Sequence, residues 1–281
     1  MSIAGLIVLF LIIATVLTSY KGFTDRRFYD SYKFEVEKVL VYKDYKRLLT
    51  SGFLHVNWMH LIFNMLSLYI FSGLITATMG GFEFLLIYFV SLVGGELLSL
   101  LIHRHHGDYT SVGASGAVCG VLFASVAIYP DMPIGLLFLP IQIPGWIYAL
   151  LFVLVSIYGI RSRKRNIGHD AHLGGALIGM ILALVLHPSS LINNYGKILV
   201  ILVPTIAFIY IIITRPDTLF VNNLFYKSHE DFYSIDHRYN AQQADKQQEV
   251  DRILEKISKR GMSSLTRKEK ETLKDYSKNV R

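Results

Sequence analysis

The sequence predicts an all-α protein, a polytopic membrane helical bundle followed by a small helical tail, on three observations. Hydrophobic residues fill 52% of the 281 positions and charged residues only 17%, below the roughly one quarter usual in soluble globular domains. Apolar runs cover about 3–19, 58–78, 82–102, 115–129, 145–160, 172–187 and 197–214, most of them near the roughly 17–25 residues with which a helix crosses a bilayer. After Thr214 the composition turns abruptly to charged and amide residues. The predicted division is a membrane domain over 1–214 and a water-soluble, partly helical tail over 215–281.

The first run has no basic stretch before it and no small-residue cleavage pattern after it, so it reads as a retained anchor rather than a signal peptide. Residues 20–56 mix charges with Phe23, Phe28, Tyr29, Tyr32, Phe34, Tyr42 and Tyr45, and aromatic rings among charges belong at a bilayer interface. The later breaks are short: Gly80 and Gly81, then His103 to Gly113, then the proline-containing stretch Pro130 to Pro144. The runs beginning at 115, 145 and 172 are short, so their ends must meet water or protein rather than lipid. In the tail, Val250, Ile253, Leu254 and Ile257 recur at helical spacing until Gly261. Thr266 and Glu269 then read as a capping box that opens a second helix through Leu273 and Tyr276. Such a hairpin is too small for a core of its own and suits docking to a partner or a membrane surface better than catalysis.

The formal charge is +7, but the basic residues lie in membrane loops and a mixed-charge tail, not on one face. Anionic lipid headgroups explain them more simply than nucleic acid. The single cysteine, Cys119, excludes a disulfide within the chain and reads as a small packing residue. Neither a phosphate-binding glycine loop nor a paired-cysteine metal motif is present in the sequence.

Chemistry concentrates where polar loops become apolar helices. Gly113, Ala114, Ser115 and Gly116 stand at one such junction, where unpaired backbone N–H groups and the positive end of a helix dipole favour a developing oxyanion. An isolated serine there is more simply a helix cap. His172 stands at the start of another apolar run, with Gly175 and Gly179 on its face. Gly116 and Gly120 repeat that spacing on the serine helix, and small residues let membrane helices approach until their backbones nearly touch. The two helices thus have a reason to bring Ser115 to His172, and an adjacent imidazole is what makes a serine nucleophilic. Otherwise His172 bonds only a neighbouring helix. His60 and Asn64 project from one face of the second run, either as an interhelical hydrogen-bonding pair or as donors to an oxyanion.

Taken together, the stretch from Arg47 to His55 (RLLTSGFLH), His60 with Asn64, Gly-Ala-Ser-Gly at 113–116, and Ala171-His172 with Gly175 and Gly179 resemble the rhomboid intramembrane serine proteases over about residues 46–187. The resemblance implies a six-helix core, here with a seventh helix over 197–214. It implies a catalytic pair of Ser115 and His172 without an acid, and an oxyanion held by Asn64, His60 and the Ser115 N–H. His55 is implied as structural support, with Gly113, Gly116, Cys119, Gly175 and Gly179 as supporting positions. The implied substrates are transmembrane segments of other proteins, cut without metal or nucleotide cofactor, and the expected location is a bacterial cytoplasmic membrane, as a multi-pass protein. The chain departs from the family where an aromatic residue commonly stacks on the histidine, since Cys119 stands there, and where an acidic residue often follows the second span, since 75–80 contains none. With the active site opening outward as in the family, the basic loop of Arg161, Arg163, Lys164 and Arg165 also faces outward, against the positive-inside rule.

Two other classes compete: a noncatalytic rhomboid-like protein that binds client helices, which loss of Ser115 or His172 would mark, and a transporter in which Glu96 lines a solute path. Glu96 reads more simply as a satisfied helix-end carboxylate.

Overall fold

The computed structural model describes residues 2–135, 141–161 and 168–214, together with positions 253, 256, 266 and 269 of the tail. Two compact units emerge, Met1–Tyr226 and Lys227–Arg281.

The first unit is helical. Helix α1 (Ile3–Thr24) is capped by the Ser2 hydroxyl, which accepts from the Gly5 N–H. The Asp25 N–H closes its last turn on the Lys21 carbonyl while the Asp25 carboxylate accepts from Phe28 to open α2 (Arg26–Tyr32). Helix α1 buries Val8, Leu11, Thr15, Ser19 and Gly22 and packs on α5 (Trp58–Thr78) and α6 (Gly81–Ile102). The interfacial connection predicted over 20–56 is well structured. It holds α2, β1 (Phe34–Glu35), α3 (Val36–Leu40), α4 (Arg47–Thr50) and a 3-10 turn at Ser51–Phe53. Buried Arg47 stitches it together, donating to the carbonyls of Asp30 (2.9 Å) and Lys33 (2.7 Å) and to the Asp44 carboxylate (2.9 Å). Phe34, Val36 and Val39 form a small core of their own, covered by Leu48, Leu100 and Tyr109.

The centre of the unit is α7 (Ser115–Ile128), in which every residue from Gly116 to Ala127 is buried. It packs most extensively on α9 (His169–Leu186) and then on α6, with α5 on another flank and α8 (Gly145–Arg161) and α10 (Pro188–Thr214) nearby. Among the described residues five helices, α1, α5, α6, α9 and α10, are long and apolar enough to cross a membrane, and α7 and α8 are shorter apolar helices. Their outward positions are large and apolar, as at Phe10 and Leu17 of α1, Tyr69 and Ile70 of α5, and Val155 of α8. The last helix is longer than the run predicts, because it begins at Pro188 and bends at Asn194.

Two short antiparallel ribbons had no counterpart in the sequence reading. In one, β1 pairs with β2 (Thr110–Ser111), Phe34 facing Ser111 and Glu35 facing Thr110. In the other, β3 (Pro133–Gly135) pairs with β4 (Gln142–Pro144) inside the proline-containing break. Of the tail, Ile253 is buried. The Thr266 N–H donates to the Glu269 carboxylate (2.7 Å) and the Glu269 N–H to the Thr266 hydroxyl (3.3 Å), the reciprocal box that the spacing predicts. Val250, Leu254, Ile257, Gly261, Leu273 and Tyr276 of that prediction, and Arg163, Lys164 and Arg165 of the basic loop, lie outside the described residues.

Candidate active site

Ser115 is the first residue of α7, and Ala114, not the serine, occupies the cap position. The serine hydroxyl is therefore not spent on capping. Its Oγ lies 2.6 Å from Nε2 of His172. Helix α9 starts at His169, three residues earlier than the apolar run suggests, so His172 sits at the end of its first turn rather than at its start. The two helices meet through glycine. A Cβ added at Gly175 would overlap the backbone of Gly116, and one at Gly179 would overlap the backbone of Gly120. The Ala171 carbonyl fits into the same seam, against Gly95 of α6 and Gly116.

The approach to Ser115 is pinned at each residue. Gly113 has a φ of +132°, a conformation that side chains disfavour, and an added Cβ would stand 2.7 Å from the His60 ring. Its N–H donates to the Ser51 carbonyl at 3.0 Å. The Ala114 N–H donates to His55 Nε2 at 3.4 Å, and His55 Nδ1 lies 2.9 Å from the Ser19 hydroxyl, which itself donates to the Phe53 carbonyl at 2.8 Å. With Nε2 accepting and the serine proton engaged elsewhere, the neutral ring carries its proton on Nδ1 and donates it to Ser19. Burial, reinforced by the neighbouring His60, pushes the His55 pKa down to about 3, so the ring stays neutral. His55 thus supports the turn from beneath and does not touch Ser115.

His60 lies in the first turn of α5, whose cap is the Asn57 side chain accepting from the His60 N–H at 2.9 Å. Its ring stands edge-on to that of His55, 4.9 Å between centroids, and against Gly113. Asn64 is buried one turn further on, and its Nδ2 donates to the His60 carbonyl at 2.9 Å; an amide nitrogen carries a second N–H. Cys119 is buried one turn along α7 from Ser115.

Around the pair, Phe152, Phe123 and Asp170 were missed from sequence, whereas Glu96 was singled out as a satisfied carboxylate. Phe152 of α8 brings an aromatic ring to 6.3 Å from the His172 ring, tilted by 35°, and Phe123 of α7 backs it edge-on at 5.4 Å. The aromatic support absent at Cys119 is thus supplied from the side. Glu96 is buried within α6, not at its end, and accepts from Ser111 (2.9 Å) and Ser51 (3.4 Å), fastening the segment that leads to Ser115. Asp170, buried in the first turn of α9, meets His103 and Tyr109. A buried carboxylate demands partners, and that demand was the one signal available for Asp170.

The Rhomboid domain family matches residues 42–189, slightly more than half of the chain. The chain belongs to the rhomboid family. A family of unknown function (DUF6576) matches residues 233–279 of the tail. This rhomboid is 31% identical over 157 residues to Rhomboid protein 1, mitochondrial, of Saccharomyces cerevisiae, covering 53% of this chain and 45% of the relative. It is 34% identical over 148 residues to Rhomboid-like protein 11, chloroplastic, of Arabidopsis thaliana, covering 50% and 52%. It is 33% identical over 135 residues to Presenilin-associated rhomboid-like protein A, mitochondrial, of Danio rerio, covering 47% and 35%. The rhomboid therefore spans about half the length of these curated relatives, or less. Family and apolar helices together make it an integral, multi-pass membrane protein in contact with the lipid bilayer. The relatives are named for mitochondria and chloroplasts, so they lend no support to a bacterial membrane.

Proposed function

We propose that this rhomboid is an intramembrane serine endopeptidase that cleaves transmembrane segments of other proteins with a Ser115–His172 pair. One observation carries the reading: the 2.6 Å approach of Ser115 Oγ to His172 Nε2 between two glycine-seamed helices. At that distance Oγ can pass its proton to Nε2 as it attacks a peptide carbonyl. The negative oxygen forms beside the free N–H groups and positive dipole end of α7. The His60 ring and the second Asn64 N–H are the side-chain donors at hand. His172 then returns the proton to the departing amine, and water hydrolyses the acyl-enzyme.

The test compares purified wild type with Ser115→Ala and His172→Ala on a reporter transmembrane substrate in detergent, with fluorophosphonate labelling alongside. Wild type should cleave and label, Ser115→Ala should do neither, and His172→Ala should fall by about four orders of magnitude or more. Equal cleavage by all three proteins rules out the protease and leaves a binder of client helices.

A further inference from the structure

Asp170 is 5% exposed, in the first turn of an apolar helix, a position where an unpaired charge is costly. Its Oδ2 lies 3.1 Å from His103 Nε2, and the Tyr109 hydroxyl donates to both carboxylate oxygens at 3.2 and 3.3 Å. The His103 and Tyr109 rings stack on one another, 3.6 Å between centroids and 9° from parallel. His103 ends α6, and Tyr109 immediately precedes β2, the segment that runs into Ser115. Burial, then the charges of Asp170 and Glu96, holds the Tyr109 phenol well above its ordinary pKa, so it remains a donor. Two residues along a helix is a rotation of about 200°, so the Asp170 carboxylate and the His172 ring project from opposite sides of α9.

We infer that Asp170, clamped by His103 and Tyr109, is a positioning residue for the proposed Ser115–His172 pair, locking the first turn of α9 to the segment that carries the nucleophile. It acts through the backbone and touches neither the serine nor the substrate. The inference rests on the serine–histidine reading.

The full chain in detergent tests it, with kcat and KM on the reporter substrate and the fluorophosphonate labelling rate of Asp170→Ala, Asp170→Asn, His103→Gln and Tyr109→Phe. Rates are expressed per labelled site, which removes any unfolded fraction. Asp170→Ala should lower kcat and the labelling rate by about ten- to a hundredfold, the effect of a displacement near 1 Å, with KM within about twofold. Asp170→Asn, which keeps an acceptor for Tyr109, should recover part of the loss. Combining Asp170→Ala with His103→Gln should cost little more than Asp170→Ala alone, since the three side chains form one unit. A per-site kcat within about twofold of wild type in Asp170→Ala, or a raised KM with kcat intact, overturns the inference. If Asp170→Ala does not fold, His103→Gln and Tyr109→Phe decide by the same criteria. Wild type that fails to label at Ser115 sinks the serine–histidine reading itself, a result distinct from labelled wild type with unaffected Asp170 variants.

Discussion

Both ring nitrogens of His55 are occupied, by Ser19 and by the Ala114 N–H, and its side chain has no exposed surface. Its pKa of about 3, against 6.5 for the free side chain, means that unfolding takes up a proton anywhere between those values. The stabilisation is complete above pH 6.5 and is lost as pH falls toward 3, by about 1.4 kcal/mol per unit for one such group. We therefore expect the unfolding temperature in detergent to fall on acidification below about pH 6.5, and to fall less steeply in His55→Gln. Identical slopes would show that another group dominates. Phe152 is tied to His172 by ring contact alone, and aromatic pairs contribute about 0.5–1.5 kcal/mol beyond area burial. Phe152→Ala should accordingly lower kcat roughly two- to tenfold, while Phe152→Tyr should stay close to wild type; kinetics on the reporter substrate measures both. Ser115, His172, His60 and Asn64 were legible because hydrogen-bonding groups inside apolar helices are conspicuous. Phe152 was not, since one more aromatic residue in an apolar helix looks like packing, and its ring reaches the site from a different helix.

The seam between α7 and α9 sets the spacing of the candidate pair. Because the obstacle to a methyl group at Gly175 is the Gly116 backbone and not a side chain that can turn aside, the helices themselves must part. Gly175→Ala should therefore lower stability by about 1–3 kcal/mol, as overpacking does, and cut the labelling rate at Ser115 by about a hundredfold, as a misplacement near 1 Å does. Labelling at the wild-type rate would show that the seam does not control the pair. The glycine spacings that predict this contact were readable because helical period makes them so. The β1–β2 ribbon was not, since two-residue strands have no period to detect, although it joins the interfacial connection to the run into Ser115. Helix starts were the other difficulty: α9 begins with His169 and Asp170, polar residues that hydropathy assigns to the preceding loop.

If the shorter apolar helices α7 and α8 cross the membrane along with the five long ones, in alternation, then the start of α7, the end of α8, the start of α9 and the end of α10 fall on one side. Arg161→Cys and Thr214→Cys should then be modified from the same side of sealed vesicles by an impermeant thiol reagent, with native Cys119 buried and silent. Modification from opposite sides would mean that one apolar helix does not cross. The side itself follows from the same experiment, where the outward-facing family arrangement and the basic residues near Arg161 make opposite demands. Sequence supplied the apolar helices because apolar length is a strong signal; it supplied less of the connections, whose geometry depends on partners distant in the chain, such as Arg47 with the carbonyls of Asp30 and Lys33. The glycine seam also limits how this protein can recover from damage. A side chain at Gly175 would meet the backbone of Gly116 and one at Gly179 the backbone of Gly120, so a bulkier residue at either position confronts a partner with no side-chain atoms left to give up. Suppressors of such a lesion should revert the altered codon itself, since no compensating change is available on the facing helix.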